Sequence, residues 1–237
     1  MKTIGLIGGM SWESSLEYYR IINETVKMKL GGLHSAKSLM FSFDFAEIEK
    51  MQSEGDWLSA TIMMVDVAKR LELSGADFVI ICTNTMHRMA EAVQDSISIP
   101  LLHIADATAQ KIKELNYKKV GLLGTRFTME QDFYKKRLFE KHAIEVIIPD
   151  EDERIEVHNI IYQELCLGII QQNSRARYKS IIANLAAKGA EGIILGCTEI
   201  TLLISEKDVA VSLFDSTRIH AKAAVDYALK KSAVECQ

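Results

Sequence analysis

The chain has 237 residues, 48% of them hydrophobic and 25% charged, a composition typical of a globular protein with a sizeable core. Its net charge of −4 gives no sign of a basic surface, so nucleic acid and acidic membranes are not expected as partners. No apolar run is long enough to span a bilayer, which argues against an integral membrane protein.

The four cysteines are scattered along the chain and lack the spacing of a zinc site. Residues 1–6 lead directly into a strand-like run, without the basic start and long apolar stretch of a secretory leader. These two features predict a cytoplasmic protein with free thiols.

Strands alternate with helices along the first half of the chain, a pattern typical of parallel sheets. Ser11 is the expected N-cap of the first helix. In order, the pattern predicts a strand over 3–9, a helix over 12–29, a strand over 38–43, a short helix over 45–51, a helix over 56–73, a buried strand within 75–85, a helix over 85–95, a strand over 100–104 and a helix over 105–115. Apolar residues at helical spacing give the helix over 56–73 an expected buried face: Leu58, Ile62, Val65, Ala68 and Leu71.

The pattern then restarts, because residues 119–125 repeat the character of residues 3–9. After that strand the pattern predicts a strand over 144–148, helices over 151–167 and 174–188, a buried strand within 189–199, a strand over 210–214 and a terminal helix from 216 to about 231. We therefore expect an α/β protein of two similar parallel-sheet domains related by a pseudo-twofold. The predicted domains are 1–117 and 118–215, with 216–237 packing back on the first.

One stretch occurs twice, as residues 75–85 and 189–199. Each copy begins Gly-Ala-acid, continues as an apolar run and ends in small polar residues, and in the overlay Thr83 falls on Cys197. An apolar run of this kind is typical of a buried parallel strand, and ligands bind beyond the carboxyl ends of such strands. The repeat therefore predicts that Thr83 and Cys197 face each other across a cleft.

Cys197 is the strongest candidate for chemistry. A helix N-terminus and nearby donors can bring a thiol with a pKa of about 8.5 to a reactive thiolate. The alternative is a small buried apolar residue. Thr83 by itself fits an N-cap, and its claim to function comes from its match to Cys197. Strand alternation points Cys82 to the opposite face, into the core.

The residues beside these two could orient a substrate carboxylate and amine: Asn84, Thr85, Thr198 and Glu199. Plain helix capping is compatible with the same pattern. His87, one turn after Thr83, is a structural hydrogen bonder rather than a catalytic group in our interpretation. Gly8 and Gly9 lack the spacing of a dinucleotide site, and we expect them to admit a small ligand close to the backbone. No metal-ligand cluster is evident.

Three segments together resemble the cofactor-independent aspartate/glutamate racemase superfamily: residues 4–12, 82–87 and 196–200. The resemblance implies an active site between two α/β domains, a homodimer, a small amino-acid substrate and no cofactor. In its two-base mechanism, the catalytic pair falls on Thr83 and Cys197. The residues implied to bind substrate are Met10, Ser11, Gln52, Asn84, Thr85, Thr125, Thr198 and Glu199.

Two departures from the family pattern bear on function. Most members have Cys where this chain has Thr83, and the change resembles the branch of L-aspartate/glutamate-specific, or broad-specificity, amino-acid racemases. By rough alignment, Gln52 and Cys166 replace an Arg and a Lys that grip an acidic substrate. Aspartate or glutamate stays the first expectation, with neutral amino acids such as homoserine open. The alternatives are a decarboxylase or cis–trans isomerase of the same superfamily, or an amino-acid binding protein without turnover.

Overall fold

A computed structural model describes residues 1–230 as two compact units. The first unit contains residues 1–103 and the chain from His220 onward, and the second contains residues 104–219. Each unit holds one four-stranded parallel sheet, so the predicted α/β class is confirmed. Among residues 1–230, no helix combines the length and the apolar character needed to cross a bilayer.

The sheet of the first unit has the strand order β2-β1-β3-β4, and all its neighbours are parallel. Ser11 caps the first helix as predicted, accepting a hydrogen bond from the backbone N–H of Ser14. The elements are β1 Ile4–Gly8, α1 Trp12–Leu30, β2 Ser38–Ser42, α2 Phe45–Glu54, α3 Trp57–Leu73, β3 Phe78–Ile81, a 3₁₀ helix Thr85–Met89, α4 Ala90–Ser96 and β4 Leu101–Leu102.

The second unit repeats this topology with the order β6-β5-β7-β8, again entirely parallel. Its elements are α5 Ile104–Glu114, β5 Lys119–Gly124, α6 Arg126–Glu130, α7 Asp132–His142, β6 Glu145–Ile147, α8 Glu151–Gln163, a 3₁₀ helix Leu165–Leu167, α9 Gln172–Ala187, β7 Gly192–Gly196, α10 Ile200–Leu203 and β8 Ser212–Asp215. The final helix, α11 Ser216–Leu229, starts in the second unit and continues in the first.

The repeated Gly-Ala-acid segment has the same geometry in both units. Gly75 and Gly189 have φ angles of +93° and +95°, a region that glycine adopts without steric cost. The Asp77 carboxylate accepts a hydrogen bond from the backbone N–H of Thr3 at 2.6 Å, and Glu191 accepts one from Lys118 at 2.6 Å. The repeated acid therefore anchors the start of the first strand of each sheet.

The domain limits differ from the prediction at α5. Its apolar residues, including Ile104 and Ile112, lie in the core of the second unit with Val120 and Leu122 of β5. The predicted limit after residue 117 had assigned this helix to the first domain. The apolar residues of α11 from Ala221 to Ala228 pack in the first unit's core, against Ile4, Leu6 and Tyr18. Residues 231–237, which include Cys236 and the expected end of this helix, lie outside the described part of the chain.

The expected buried face of α3 is partly wrong. Leu58 and Ile62 are 73% and 61% exposed, whereas Ala60, Met64 and Val67 are buried with Ala68 and Leu71. The apolar residues run around much of this helix, so spacing alone could not select the face that the sheet covers.

Gly9 is required because the backbone after β1 passes very close to the backbone of Phe43. Its φ angle is +82°, and a Cβ atom here would lie 2.3 Å from the backbone N and O of Phe43, at the end of β2. The expectation that this glycine makes room for a ligand is therefore replaced by a packing reason.

Candidate active site

The first polar cluster, the N-terminal tip, consists of residues 83–85 after β3 and residues 10–11 after β1. Ile7 and Ile81 are in register on these adjacent parallel strands, so both segments leave the same edge of the sheet. The hydroxyl of Ser14 donates to the carbonyl oxygen of Cys82 at 3.1 Å and ties the start of α1 to this edge. Thr83 therefore lies with four of the predicted binding residues: Met10, Ser11, Asn84 and Thr85.

Thr83 is partly exposed, whereas Cys82 beside it is buried in the core as strand alternation predicted. Burial raises the pKa of the Cys82 thiol, which is inert at neutral pH. Asn84 and Thr85 are buried. The Nδ1 atom of His87 lies 2.7 Å from the carbonyl oxygen of Thr83, so this histidine forms the structural hydrogen bond expected of it.

Gln52, one of the predicted binding residues, is buried near the end of α2. Its side-chain amide donates to the sulfur of Met86 at 3.2 Å, in the 3₁₀ helix that follows Thr83. Gln52 thus places a neutral side chain against the 3₁₀ helix that continues from the N-terminal tip.

The second polar cluster, the C-terminal tip, consists of residues 197–199 after β7 and Thr125 after β5. Gly124 and Gly196 are in register, so Thr125 and Cys197 leave adjacent strands at the same level. The Thr125 hydroxyl accepts a hydrogen bond from the backbone N–H of Thr128 at 3.4 Å and caps α6. The hydroxyl of Thr198 lies 3.1 Å from that of Thr217.

The Cys197 thiol donates to a carboxylate oxygen of Glu199 at 2.8 Å. Burial of the sulfur, and then the charge and hydrogen bond of Glu199, raise the pKa of this thiol well above its usual value. The expectation of a thiolate stabilised by a helix N-terminus is wrong in this structure. The helix concerned, α10, has only four residues, and the nearest charge is negative.

One further side chain influences this thiol, and another is influenced by it. Cys166 lies in the 3₁₀ helix that packs on α10, and its own thiol contributes to the raised pKa of Cys197. Tyr178 of α9 is buried, and burial together with the charge of Cys197 raises its phenol pKa well above the usual value. No motif surrounds Tyr178, so sequence reasoning had no signal for it.

Within residues 1–230, His, Cys, Asp and Glu side chains form no group of three or more able to hold a metal ion. Each tip instead offers hydroxyl, amide and backbone groups at the carboxyl edge of a parallel sheet, which is where small polar ligands bind in this class of α/β proteins. The fold is thus of the α/β class, with a free thiol at the end of one buried strand.

The chain belongs to the Asp/Glu/Hydantoin racemase family, which matches residues 7–224. It is 29% identical over 168 residues to the broad-specificity amino-acid racemase RacX of Bacillus subtilis (strain 168), covering 68% of this chain and 69% of that protein. Since the named relatives are racemases, which are isomerases, the chain is an enzyme of the isomerase class.

Solved structures show the same relationship. A candidate Asp/Glu racemase of Yersinia pestis superposes with a TM-score of 0.93 at 56% identity, covering 97% of this chain and 100% of that chain. An aspartate racemase homologue from Pyrococcus horikoshii OT3 superposes with a TM-score of 0.85 at 35% identity, with the same coverage. The family resemblance of the sequence is thereby confirmed.

Proposed function

We propose that the protein racemises aspartate, glutamate or a related small amino acid by exchanging the α-proton between Cys197 and Thr83, without a cofactor. The observation that carries this proposal is the thiol of Cys197 at a strand end, hydrogen-bonded to Glu199 at 2.8 Å, in a chain of the racemase family. Thr83 takes the second role because it occupies the equivalent place in the repeated segment.

With an L-amino acid, the proton of the Cys197 thiol moves to Glu199 and leaves a thiolate. The thiolate removes the α-proton, and the electron pair of the broken C–H bond stays on the substrate as a carbanion delocalised into its carboxylate. The Thr83 hydroxyl then delivers a proton to the other face of the α-carbon and regains one from water. The hydroxide that this leaves takes the proton from Glu199, which returns both tips to their starting states. Because the resting thiol is protonated, Glu199 is the proton acceptor that makes the first step possible.

The carbanion needs stabilisation, because an amino-acid α-proton is much less acidic than a thiol. Hydrogen-bond donors fixed around the substrate carboxylate supply it, and a single donor of this kind is worth about 3 kcal/mol. We assign this role to Asn84, Thr85, Thr198 and the backbone N–H groups of the two tips. Met10, Ser11, Gln52 and Thr125 complete the lining, and Gln52 leaves room for neutral as well as acidic substrates.

The two enantiomers have equal free energies in water, so the equilibrium constant is one and kcat/KM must be equal in the two directions. The difference between a thiol and a hydroxyl is therefore visible in isotope exchange rather than in net rates. A hydroxyl is the poorer acid and base, so protonation at the Thr83 face is the slower step.

The test is to hold L-aspartate, L-glutamate or L-homoserine with the enzyme in D₂O, following the α-position by NMR and inversion by chiral chromatography. We expect the L-enantiomer to exchange with retention faster than it inverts, and the D-enantiomer to invert at nearly every exchange. Absence of exchange with every amino acid would refute the proposal, and carbon dioxide release would instead indicate the decarboxylase alternative.

Two variants separate the roles. Cys197→Ala is expected to abolish exchange from the L-enantiomer. Thr83→Val keeps the side-chain shape, so exchange with retention persists while inversion falls by about 100-fold or more. If Thr83→Val inverts as fast as the wild type, Thr83 does not serve the second face.

We also propose a cytoplasmic homodimer. The described cysteines Cys82, Cys166 and Cys197 are free thiols, which suits a reducing compartment.

The proposed dimer interface is an apolar face of α1. Its residues are each more than half exposed, at spacings that share one side of the helix: Trp12, Leu16 and Tyr19. Exposed apolar patches often mark interfaces. A Leu16→Lys/Tyr19→Lys variant should run as a monomer in light scattering, with Leu33→Lys as a surface control; an unchanged dimer would exclude this face.

A further inference from the structure

Three buried histidines lie directly behind Thr83, and the proposed reaction uses none of them. His87, His103 and His220 are 2%, 6% and 0% exposed. The ring of His87 lies 4.5 Å from that of His103 and 5.7 Å from that of His220, measured between centroids. All three belong to the first unit, so the cluster is a feature of that unit alone.

The hydrogen bonds fix where protons sit on two of these rings. A carbonyl oxygen can only accept, so the Nδ1 of His87, at 2.7 Å from the Thr83 carbonyl oxygen, must carry a hydrogen. By the same reasoning, the Nε2 of His220 donates to the carbonyl oxygen of Leu102 at 2.8 Å. The Nδ1 of His220 then accepts from the hydroxyl of Tyr18 at 2.8 Å. These ring nitrogens already take part in hydrogen bonds, so their lone pairs are not available to bind a metal ion.

The side-chain hydrogen bond from His87 to the Thr83 carbonyl takes the place of a backbone hydrogen bond that is missing here. In an α-helix the backbone N–H of residue 87 would bond to the carbonyl of residue 83. Here the chain is a 3₁₀ helix, and the backbone N–H of His87 bonds to Asn84 at 3.1 Å instead. The imidazole of His87 donates to the Thr83 carbonyl oxygen instead. His87 therefore stabilises the turn over residues 83–87 with two hydrogen bonds, one from its backbone and one from its side chain.

The ring of His87 is itself held in place. His220 projects from α11 and Tyr18 from α1, and these two rings meet edge to face at 5.7 Å. Leu102 ends β4, so the chain of contacts links the end of β3 to the end of β4 and to two helices. A polar group anchored on several elements has little freedom to move.

We propose that His87 is a positioning residue for Thr83: by holding the Thr83 carbonyl, it fixes the direction in which the Thr83 hydroxyl meets the substrate. This inference rests on the proposed racemase function. It predicts a defect confined to the Thr83 face, because the hydrogen bond of His87 is made to Thr83 and not to a residue of the C-terminal tip.

The test compares His87→Leu, which loses the donor, with His87→Asn, whose amide nitrogen stands near the place of Nδ1. In D₂O with the L-enantiomer, His87→Leu is expected to lower the ratio of inversion to retentive exchange by about tenfold, the effect of losing one hydrogen bond. His87→Asn should restore the ratio. Equal loss of inversion and retention, or no rescue by Asn, would overturn the proposal.

Tyr18→Phe is the matched control, since it disturbs the same cluster but leaves the bond between His87 and Thr83 in place. Its ratio should equal that of the wild type; a loss as large as in His87→Leu would show that packing of the cluster, rather than this hydrogen bond, matters.

A measurement independent of turnover separates this proposal from the proposed function. Long-range ¹H–¹⁵N NMR of the wild type should show a proton on Nδ1 of His87 and on Nε2 of His220. The carbonyl resonance of Thr83 should shift in His87→Leu and return in His87→Asn. A bare Nδ1 on His87 would overturn the proposal even in an active racemase, whereas the expected spectra in an enzyme without exchange would refute only the racemase function.

Discussion

Cys197 and Glu199 oppose the proposed reaction at rest, because a carboxylate that accepts a thiol proton disfavours the thiolate that this reaction needs. Burial and Glu199 act in the same direction on the pKa of Cys197. In the proposed reaction, the thiol therefore keeps its proton until a substrate arrives whose cationic amine favours the thiolate electrostatically.

This balance can be tested with Glu199→Gln. Removing the charge should lower the pKa of Cys197 towards the usual value, while burial keeps it above that value. The midpoint of Cys197 alkylation, followed by peptide mass spectrometry against pH, should move to lower pH. Racemisation should nevertheless fall, because the proton acceptor is lost.

Alkylation of Cys166 in the same samples provides the internal control. A Cys197 midpoint that stays in place or moves up in Glu199→Gln would contradict the assigned electrostatics.

At the scale of elements, the loop after β1 contains Gly9, whose backbone conformation and close contact with Phe43 exclude any side chain. Gly9→Ala must place a Cβ atom 2.3 Å from the Phe43 backbone while keeping a φ angle of +82°. We expect the free energy of unfolding in urea to fall by about 2–5 kcal/mol. Gly55→Ala, at φ +73° in open space, should cost only about 1 kcal/mol. Equal losses in the two variants would contradict the steric argument.

The second unit joins α5 to α7 through Asp106, which bonds to Arg137 at 2.6 Å and to His142 at 2.9 Å. Burial opposes ionisation of Asp106, but the hydrogen bonds from Arg137 and His142 outweigh it and hold its pKa below the usual value. A lowered pKa in the folded state means that the carboxylate stabilises the fold above its unfolded pKa, and that this contribution is lost as the pH falls through the folded pKa.

Asp106→Asn should therefore lower the free energy of unfolding at pH 7 by about 1–3 kcal/mol. The difference from the wild type should shrink as the pH falls below about 4, in a series of urea titrations. Glu114→Gln, which removes an exposed ion-pair partner of Lys111 on the same helix, is the control and should have little effect. A pH-independent difference would show that the ion pair is not its source.

At the scale of the whole molecule, the two units use the chain differently. The second unit is one continuous segment, 104–219, whereas the first needs both ends of the described chain. Its core includes Ala221, Ala224 and Val225 of α11, packed against Ile4 and Leu6. We therefore expect the fragment 104–219 to unfold cooperatively in circular dichroism, and the fragment 1–103 to lack a cooperative transition.

Adding residues 220–237 as a separate peptide should restore structure to the fragment 1–103. A cooperative transition of that fragment by itself would contradict the role given to α11.

The sequence by itself determined the order of the strands and of most helices, the duplication and the polar residues at the two strand ends, but it did not predict α6, α7 and α10. These features follow from local rules: an apolar run between turn signals makes a buried strand, and a Gly-Ala-acid segment makes the same turn wherever it occurs. The equal φ angles of Gly75 and Gly189 show the rule acting twice. The family resemblance added the isomerase class to this local information.

Only the tertiary structure decided which atoms surround those residues. The pKa of the Cys197 thiol depends on Glu199 and on burial. The position of the His87 ring depends on the rings of Tyr18 in α1 and His220 in α11. The exposed Leu58 and Ile62, and the membership of α5 in the second unit, likewise depend on what packs alongside. Apart from the effect of the neighbouring Glu199, these properties arise from contacts between residues far apart in the chain. A pKa or a buried face is set by such contacts rather than by the identity of the residue.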